Sequence, residues 1–533
     1  MSGRTDQTAG DWEDDQLAPP TIEVAPLQVE NRGLLIIFVM AAMVMQMLDT
    51  TIANVALPHM ESTLGATQET VTWVLTSYVL ASAITLPLSG WLVDTFGVKR
   101  ILILSVASFT AASALCGVAQ SLNQMVLFRV MQGLAGAFLS PLAQTIMLDT
   151  STPAERPRQM AIYTQGVMLG PIAGPVLGGW ITENYTWRWV FFINVPIGII
   201  AIFGLLLLLP DTPRRHRKFD IPGWIFIALG LASFQLMLDR GSTKDWFDSG
   251  EIVTYAVIAA CSFWMMIVHF VTARNPLFPR DMFLDRNFVG SLLLFFLVGM
   301  VMMAVLALLP GLLQTIYGYP AVDAGMLLAP RGIGMLISVT LFNKQINKID
   351  PRFALTLGLG LVGWSLWLMS RWSPDMPMAP IFITGMIQGV GLSFTFIPIT
   401  LLAFATLPPR YRADASAMNN LFRNVGSSIG ITICSVLLAR NLQLNHAEIG
   451  SALRIPAMPF ALDRVTAYGE ASDAVMQVLD GMVNKQAAML AYLDDFLLMA
   501  MLCFFAIPFL YLLKASKPGA PHSASAAADA AGH

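Results

Sequence analysis

Fourteen apolar stretches, most of them close to twenty residues long, recur along this chain, and no other feature of the sequence restricts its fold so strongly. About twenty helical residues cross a hydrocarbon core of roughly 30 Å, and a lipid interior accepts only structures that satisfy their own backbone hydrogen bonds. The runs lie near 34–57, 71–92, 101–120, 124–147, 160–181, 190–209, 221–238, 251–273, 287–310, 321–341, 353–370, 378–403, 413–440 and 491–513. They predict an all-α polytopic membrane protein embedded in a lipid bilayer. Charged residues make up only 12% of the 533, about half the share of a soluble domain, which leaves too little polar surface to face water.

Loop charge gives the direction. With the N-terminus inside, twenty of the 31 basic residues fall in inside segments, eight fall outside, and Arg129, Arg331 and Arg423 fall within spans. The positive-inside rule then predicts that both termini are cytoplasmic. The acidic, Pro-containing residues 1–32 and the Ala/Ser/Gly tail 514–533 read as disordered cytoplasmic ends. Cys116, Cys261, Cys434 and Cys503 all sit in apolar runs without metal-like spacing and read as small hydrophobes.

The chain also repeats itself. Met131-Gln132-Gly133, then Pro141 and the basic loop Pro153–Arg158, is echoed by Ile387-Gln388-Gly389, then Pro398 and the basic loop Pro409–Arg412. This pairs a six-helix bundle over 33–210 with another over 276–513, the latter carrying a long outer loop, 441–490, amphipathic in parts and with a candidate helix from Leu479 to Leu493. Two linker helices, 211–275, are inserted between them. Arg129 falls opposite Gly385, so the halves are not chemically equal.

Several intramembrane residues carry possible chemistry. Counting 1.5 Å per residue places Asp49 and Arg129 at similar depth. A charge at mid-helix costs roughly 2.5–3.5 kcal/mol, so such groups pair or line a cavity. The pair is either a static ion pair or a proton-coupling site, in which desolvation and the nearby arginine pull the carboxyl pKa in opposite directions. Glycines Gly166, Gly170, Gly174 and Gly178, with Gly179, bare one face of a helix for close packing. Pro171 and Pro175 are expected to distort that helix. In Gly90–Arg100, the residues Gly90, Asp94, Gly97, Lys99 and Arg100 read as positive-inside topology or as a conformational latch. Gln46, Asn54, Gln132, Arg331, Gln388 and Arg423 are candidate cavity residues. Arg331 and Arg423 either snorkel or cap helices, or else they favour anionic cargo. Asp323, Asp494 and Asp495 lie near outer helix ends and read as interfacial, with Asp323 alternatively a second acidic site. Gly358-x-Gly360-x-x-Gly363 lies in an apolar span without a βαβ context and is set aside as a dinucleotide motif. No Walker motif, nucleophile–base pair or metal constellation stands out, which argues against an ATP-driven pump and against an enzyme.

Five segments taken together resemble a known family. They are Gly90-Trp-Leu-Val-Asp94-Thr-Phe-Gly97-Val-Lys99-Arg100, Leu48–Pro58, Arg129-x-x-Gln132-Gly133, the Gly166–Gly179 run, and Trp187–Pro196. The chain is similar to the major facilitator superfamily, in its fourteen-helix drug:proton antiporter branch of the EmrB/QacA type. The resemblance implies multidrug efflux: export of small hydrophobic or amphiphilic compounds by alternating access, two bundles rocking about a central site. It implies a proton gradient as energy source with no cofactor, and a bacterial inner-membrane location. It further implies partnership with a membrane-fusion adaptor and an outer-membrane channel, and no nucleic-acid partner. A dedicated metabolite, lipid or weak-acid cargo is the alternative; a transport-inactive scaffold is a further one.

Overall fold

The structure, a computed structural model, describes residues 27–511 except 153–154, 213, 215–216, 242, 343–349 and 453–468. Every regular element among the described residues is helical. Fourteen have spanning length. In the first half they are α1 (Arg32–Leu64), α2 (Trp73–Phe96), α3 (Val98–Val118), α4 (Leu122–Asp149), α5 (Arg156–Asn184) and α6 (Trp189–Leu208). Next come α7 (Ile221–Gly241) and α8 (Gly250–Thr272). The second half holds α9 (Arg286–Thr315), α10 (Ala321–Phe342), α11 (Pro351–Met369), α12 (Met378–Ala405), α13 (Arg412–Ala452) and α14 (Gly469–Leu510). Twelve of these are long and apolar enough to cross a membrane by length and composition. The other two, α5 with 29 residues and α10 with 22, reach about 44 and 33 Å.

Local chemistry sets the ends and the irregularities. Gly65 closes α1 in the left-handed region, its N–H donating to the Glu61 carbonyl. Ser121 accepts from the Gln124 N–H to start α4, and Asp285 accepts from the N–H groups of Asn287 and Phe288 to start α9. The ladder of α4 breaks at Ala137–Phe138, where Pro141 has no N–H to give to residue 137, and α2 tightens to a 3₁₀ turn around Pro87. Despite Pro171 and Pro175, α5 runs unbroken from end to end.

The two halves use one packing plan. Within the first, α1 lies on α5 and α6, α3 on α4 and α6, and α2 on α4; within the second, α9 lies on α13 and α14, α11 on α12 and α14, and α10 on α12. Each partner is eight helices on. The inserted α7 and α8 pair with each other, and α7 rests on α2 and α13. Contact between halves runs through α5 with α10 and α12, and through α4 and α2 with α13. We call the side where α1 begins the basic face and the opposite side the far face.

Two stretches differ from the sequence expectation. The segment 441–490 is not a loop over its described length: α13 continues to Ala452 and α14 begins at Gly469. At 41 and 42 residues these helices extend about 60 Å, twice the hydrocarbon core. Their extensions are joined by Asn441 to Asp494 at 3.3 Å, His446 to Asp480 at 3.1 Å and Asn445 to the Ala487 carbonyl at 3.4 Å. Polar residues drew the boundary too early, because a helix leaving the bilayer needs no apolar face toward lipid. Of the N-terminal segment read as disordered, residues 27–31 are ordered: the Leu27 N–H donates to the Asp149 carbonyl, and Leu27 and Val29 pack on the core. Residues 1–26 and 512–533 lie outside the described residues.

Candidate functional site

Asp49 and Arg129 meet, as their depths suggested. Arg129 Nη1 donates to Asp49 Oδ2 at 2.6 Å and to Gln132 Oε1 at 2.8 Å, and its Nε donates to the Val74 carbonyl at 2.9 Å. The second carboxylate oxygen, Oδ1, accepts from Gln132 Nε2 at 2.8 Å and from Asn194 Nδ2 at 2.9 Å. Asn194 also donates to Ser113, whose hydroxyl donates to the Phe191 carbonyl. The guanidinium stacks 4.4 Å over the Tyr78 ring. Asp49 is 0% and Arg129 1% exposed, so α1, α2, α3, α4 and α6 enclose one buried charge pair. Full hydrogen bonding is what makes such burial tolerable. Gln46 is buried on α1, whereas Asn54, farther along the same helix, is exposed. Asn194 is the member that sequence reading missed; it stood within Trp187–Pro196, quoted as a pattern and not for its chemistry.

Four glycines of α5 serve one contact. A Cβ on Gly166 would meet Met40 and Met43, on Gly170 Met47, on Gly174 Thr51 and Ile52, and on Gly178 Ile52. Every one of these lies on α1, the helix that carries Asp49. Thr51 Oγ1 donates to the Gly170 carbonyl at 2.9 Å, a bond that only such close approach permits. Gly179 has nothing within 4 Å and is not part of the seam.

On the basic face, Asp94 of α2 and Asp414 of α13 share Arg217, at 3.4 and 2.8 Å. Arg217 belongs to the connection between α6 and α7, and its backbone carbonyl accepts from Trp91 Nε1 at 2.9 Å. Gly90 lies directly under Asp414, where a Cβ would sit 1.6 Å from a carboxylate oxygen. Gly97 turns the chain at φ 87°, a conformation suited to glycine, and the following Val98 N–H donates to Thr212. Lys99 and Arg100 form no ion pair with a described residue. Arg217 thus bridges carboxylates of both halves, a role that a loop-charge reading counts only as topology. Nearby, Arg412 pairs with Asp149, Ser140 donates to Asn420 at 3.2 Å, and Thr145 to Ser416 at 3.4 Å. Arg32 binds Glu155 at 2.6 Å and holds that exposed carboxyl below its usual range.

On the far face α5 rests on α10, with Val176 against Gly325. The halves thus touch on both faces. Between them, toward the basic face, lies a narrow cleft lined by Gln144, Tyr163, Phe295, Phe396, Asn419 and Arg423, among others. Arg423 donates to Asn420 at 2.7 Å.

The second half repeats the geometry with its charges rearranged. Gly133 packs on the Tyr78 carbonyl and Gly389 on the Arg331 carbonyl, so Arg331 of α10 stands where Tyr78 of α2 stands. Gly170 and Gly174 rest on Met47 and Thr51, either side of Asp49; Gly426 and Gly430 rest on Phe296 and Met300, either side of Val298. The guanidinium reaches the shared glutamine from α10 instead of α12, with Arg331 Nη2 donating to Gln388 Oε1. Aligning Arg129 with Gly385 implied a half without a matching arginine; space holds one, offered from a different helix. A matching carboxylate is what the half lacks, since Val298 occupies its place. Asp495, read as interfacial, is instead buried at 1% exposure. Among the described residues no cluster of three metal-ligating side chains occurs.

The comparisons with known proteins agree with this architecture. Residues 39–431 match the Major Facilitator Superfamily model. The chain is 34% identical over 466 residues to the multidrug export protein EmrB of Escherichia coli K12, covering 87% of this chain and 89% of that one. It is 33% identical over 479 residues to the fatty acid resistance protein FarB of Neisseria gonorrhoeae, covering 89% and 94%. The solved structure of the proton:xylose symporter XylE superimposes with a TM-score of 0.61 at 12% identity, covering 91% and 96%, which shows the fold alone. By the matched model, the extent of identity and the helical plan, this chain belongs to the Major Facilitator Superfamily and is an EmrB-type, multi-pass membrane transporter.

Proposed function

We propose that the chain is a proton-coupled antiporter that exports small hydrophobic or amphiphilic compounds by alternating access. Bundles 33–210 and 276–513 rock about the central cleft, with both termini cytoplasmic in a bacterial inner membrane and residues 211–275 as the inserted linker. The observation that carries this reading is the Asp49–Arg129 pair, sealed inside one bundle and held by α1, the helix that the α5 glycine seam grips. A protonated Asp49 would lose its attraction for Arg129, and the seam would carry that change into α5, which forms the far-face contact with α10. The test is uptake into inverted vesicles under an imposed pH gradient, using neutral, cationic and anionic dyes. Gradient-dependent uptake supports the proposal; uptake unchanged when the gradient is collapsed sinks it.

Two substitutions probe the gates. On a Cys261→Ser background, cysteines at Val176 and Gly325 should form a disulfide that halts transport until it is reduced, because the Val176 Cγ2 methyl, where a cysteine sulfur could sit, lies 3.4 Å from an ideal Gly325 Cβ. Transport persisting in the crosslinked protein would rule out movement at that contact. Arg217→Gln should lower maximal turnover several-fold with little change in half-saturating cargo concentration. An equal effect on both would mean that Arg217 does not latch the halves.

A dedicated weak-acid cargo is the second reading, favoured by Arg331, a buried cation with no ion pair to a described residue. FarB, a relative at 33% identity, is named for fatty acid resistance. A membrane-fusion adaptor and outer-membrane channel complete the proposal, with the joined α13 and α14 extensions on the far face as the place for an adaptor to engage.

A further inference from the structure

We infer that the second bundle contains its own carboxylate-binding site, built around Arg331 between α9, α10, α11 and α12 and separate from the central cleft. Arg331 lines a small cavity with Gln388, Leu309, Leu328, Met369 and Trp372. Its Nη2 is spent on Gln388 Oε1, but Nη1 has no hydrogen-bond partner, and neither has the indole N–H of Trp372 on the same wall. Arg331 is 5% and Trp372 6% exposed, so bulk water does not satisfy these donors. An unpartnered cationic donor at the inner end, apolar walls, and an indole N–H toward the far-face end describe a receptor for an anion attached to a hydrophobic body.

The repeat identifies the anion. In the first bundle the guanidinium and the Gln132 amide converge on the carboxylate of Asp49. In the second, guanidinium and Gln388 amide are kept, while the position of the carboxylate is taken by Val298, which lies with Gln388 along an adjoining cleft. Arg331 and Gln388 each stand ten residues into their helices, about 15 Å deep. Trp372 stands just past the end of α11, at the far face. The cavity therefore leads from the bilayer middle to the far face. A monocarboxylate amphiphile fits this layout, its head on Arg331 and its tail among Leu309, Leu328 and Met369. What the first bundle carries as a residue, the second receives as a ligand. The site stands on this geometry whatever energy source drives transport; it rests on the exporter reading only for the route by which a ligand arrives.

The test is binding of labelled decanoate, with decanol as neutral counterpart, to the full-length protein in nanodiscs, corrected by empty nanodiscs. Wild type should bind decanoate at least about tenfold more tightly than decanol. Arg331→Gln should erase that preference. Val298→Asp, which supplies an internal carboxylate, should weaken decanoate binding about tenfold or more and leave decanol unchanged. Val298→Asn should bind decanoate like wild type. Should Arg331→Gln fail to fold, the Val298 pair decides. No preference in wild type, or equal decanoate binding by Val298→Asp and Val298→Asn, overturns the site. Where binding overturns the site but wild type still exports a neutral dye along the gradient, the site fails and the exporter reading stands; where binding bears the site out but wild type exports nothing, the exporter reading fails and the site stands.

Discussion

Asp49→Asn is expected to abolish gradient-driven export while the protein still inserts as a folded bundle. An Asn side chain occupies the same volume and can accept from Gln132 or Asn194, but it leaves Arg129 buried beside a neutral group. Removing one member of a buried pair costs about 3–5 kcal/mol, so the variant should also melt at lower temperature in detergent. Stability and function are separated by a second substitution. Asp49→Asn with Arg129→Gln removes both charges and leaves polar side chains that can still hydrogen-bond, so part of the lost stability should return while coupling does not. Active export at the wild-type rate by either variant would reduce the pair to a structural brace.

Gly170→Val should be the most damaging of the apolar substitutions. Its Cβ would lie 2.6 Å from the backbone of Met47, and main chain cannot swing aside as a side-chain tip can. The two helices would have to separate along the seam that holds Asp49 in place. Overpacking of this kind costs about 3 kcal/mol or more, read as a melting-temperature drop of several degrees. Gly179→Val is the internal control. It lies on the same helix with nothing within 4 Å and should melt like the unsubstituted protein. Equal melting of the two valine variants would refute the assignment of the seam to α1.

The contrast between those glycines shows where sequence reading succeeds and where it stops. Spacing placed Gly166, Gly170, Gly174 and Gly178 on one face, because helical periodicity is written in the chain; the identity of the opposing helix is not. Asp49 and Arg129 were legible as a pair because charge is rare in lipid and depth can be counted from the helix ends. Asn194 was not, since an uncharged amide at a helix start has many ordinary uses. Arg217 looked like loop charge, and its bridging role exists only once α2 and α13 are side by side. Arg331 is the clearest instance. Residue-by-residue comparison of the repeats matched Arg129 with Gly385 and found no partner, because the second bundle donates its guanidinium from α10. A repeat can preserve a contact while exchanging the helix that makes it.

The joined extensions of α13 and α14 have a mechanical consequence. Both are continuous with helices inside the second bundle and are tied to each other by Asn441, Asn445 and His446, so they form a stiff two-stranded mast rooted in that bundle alone. Should the bundles tilt against each other as proposed, the tip of a mast about 30 Å beyond the hydrocarbon would sweep farther than any group inside the membrane. A protein resting on that tip would sense each cycle as a displacement, without touching cargo or proton.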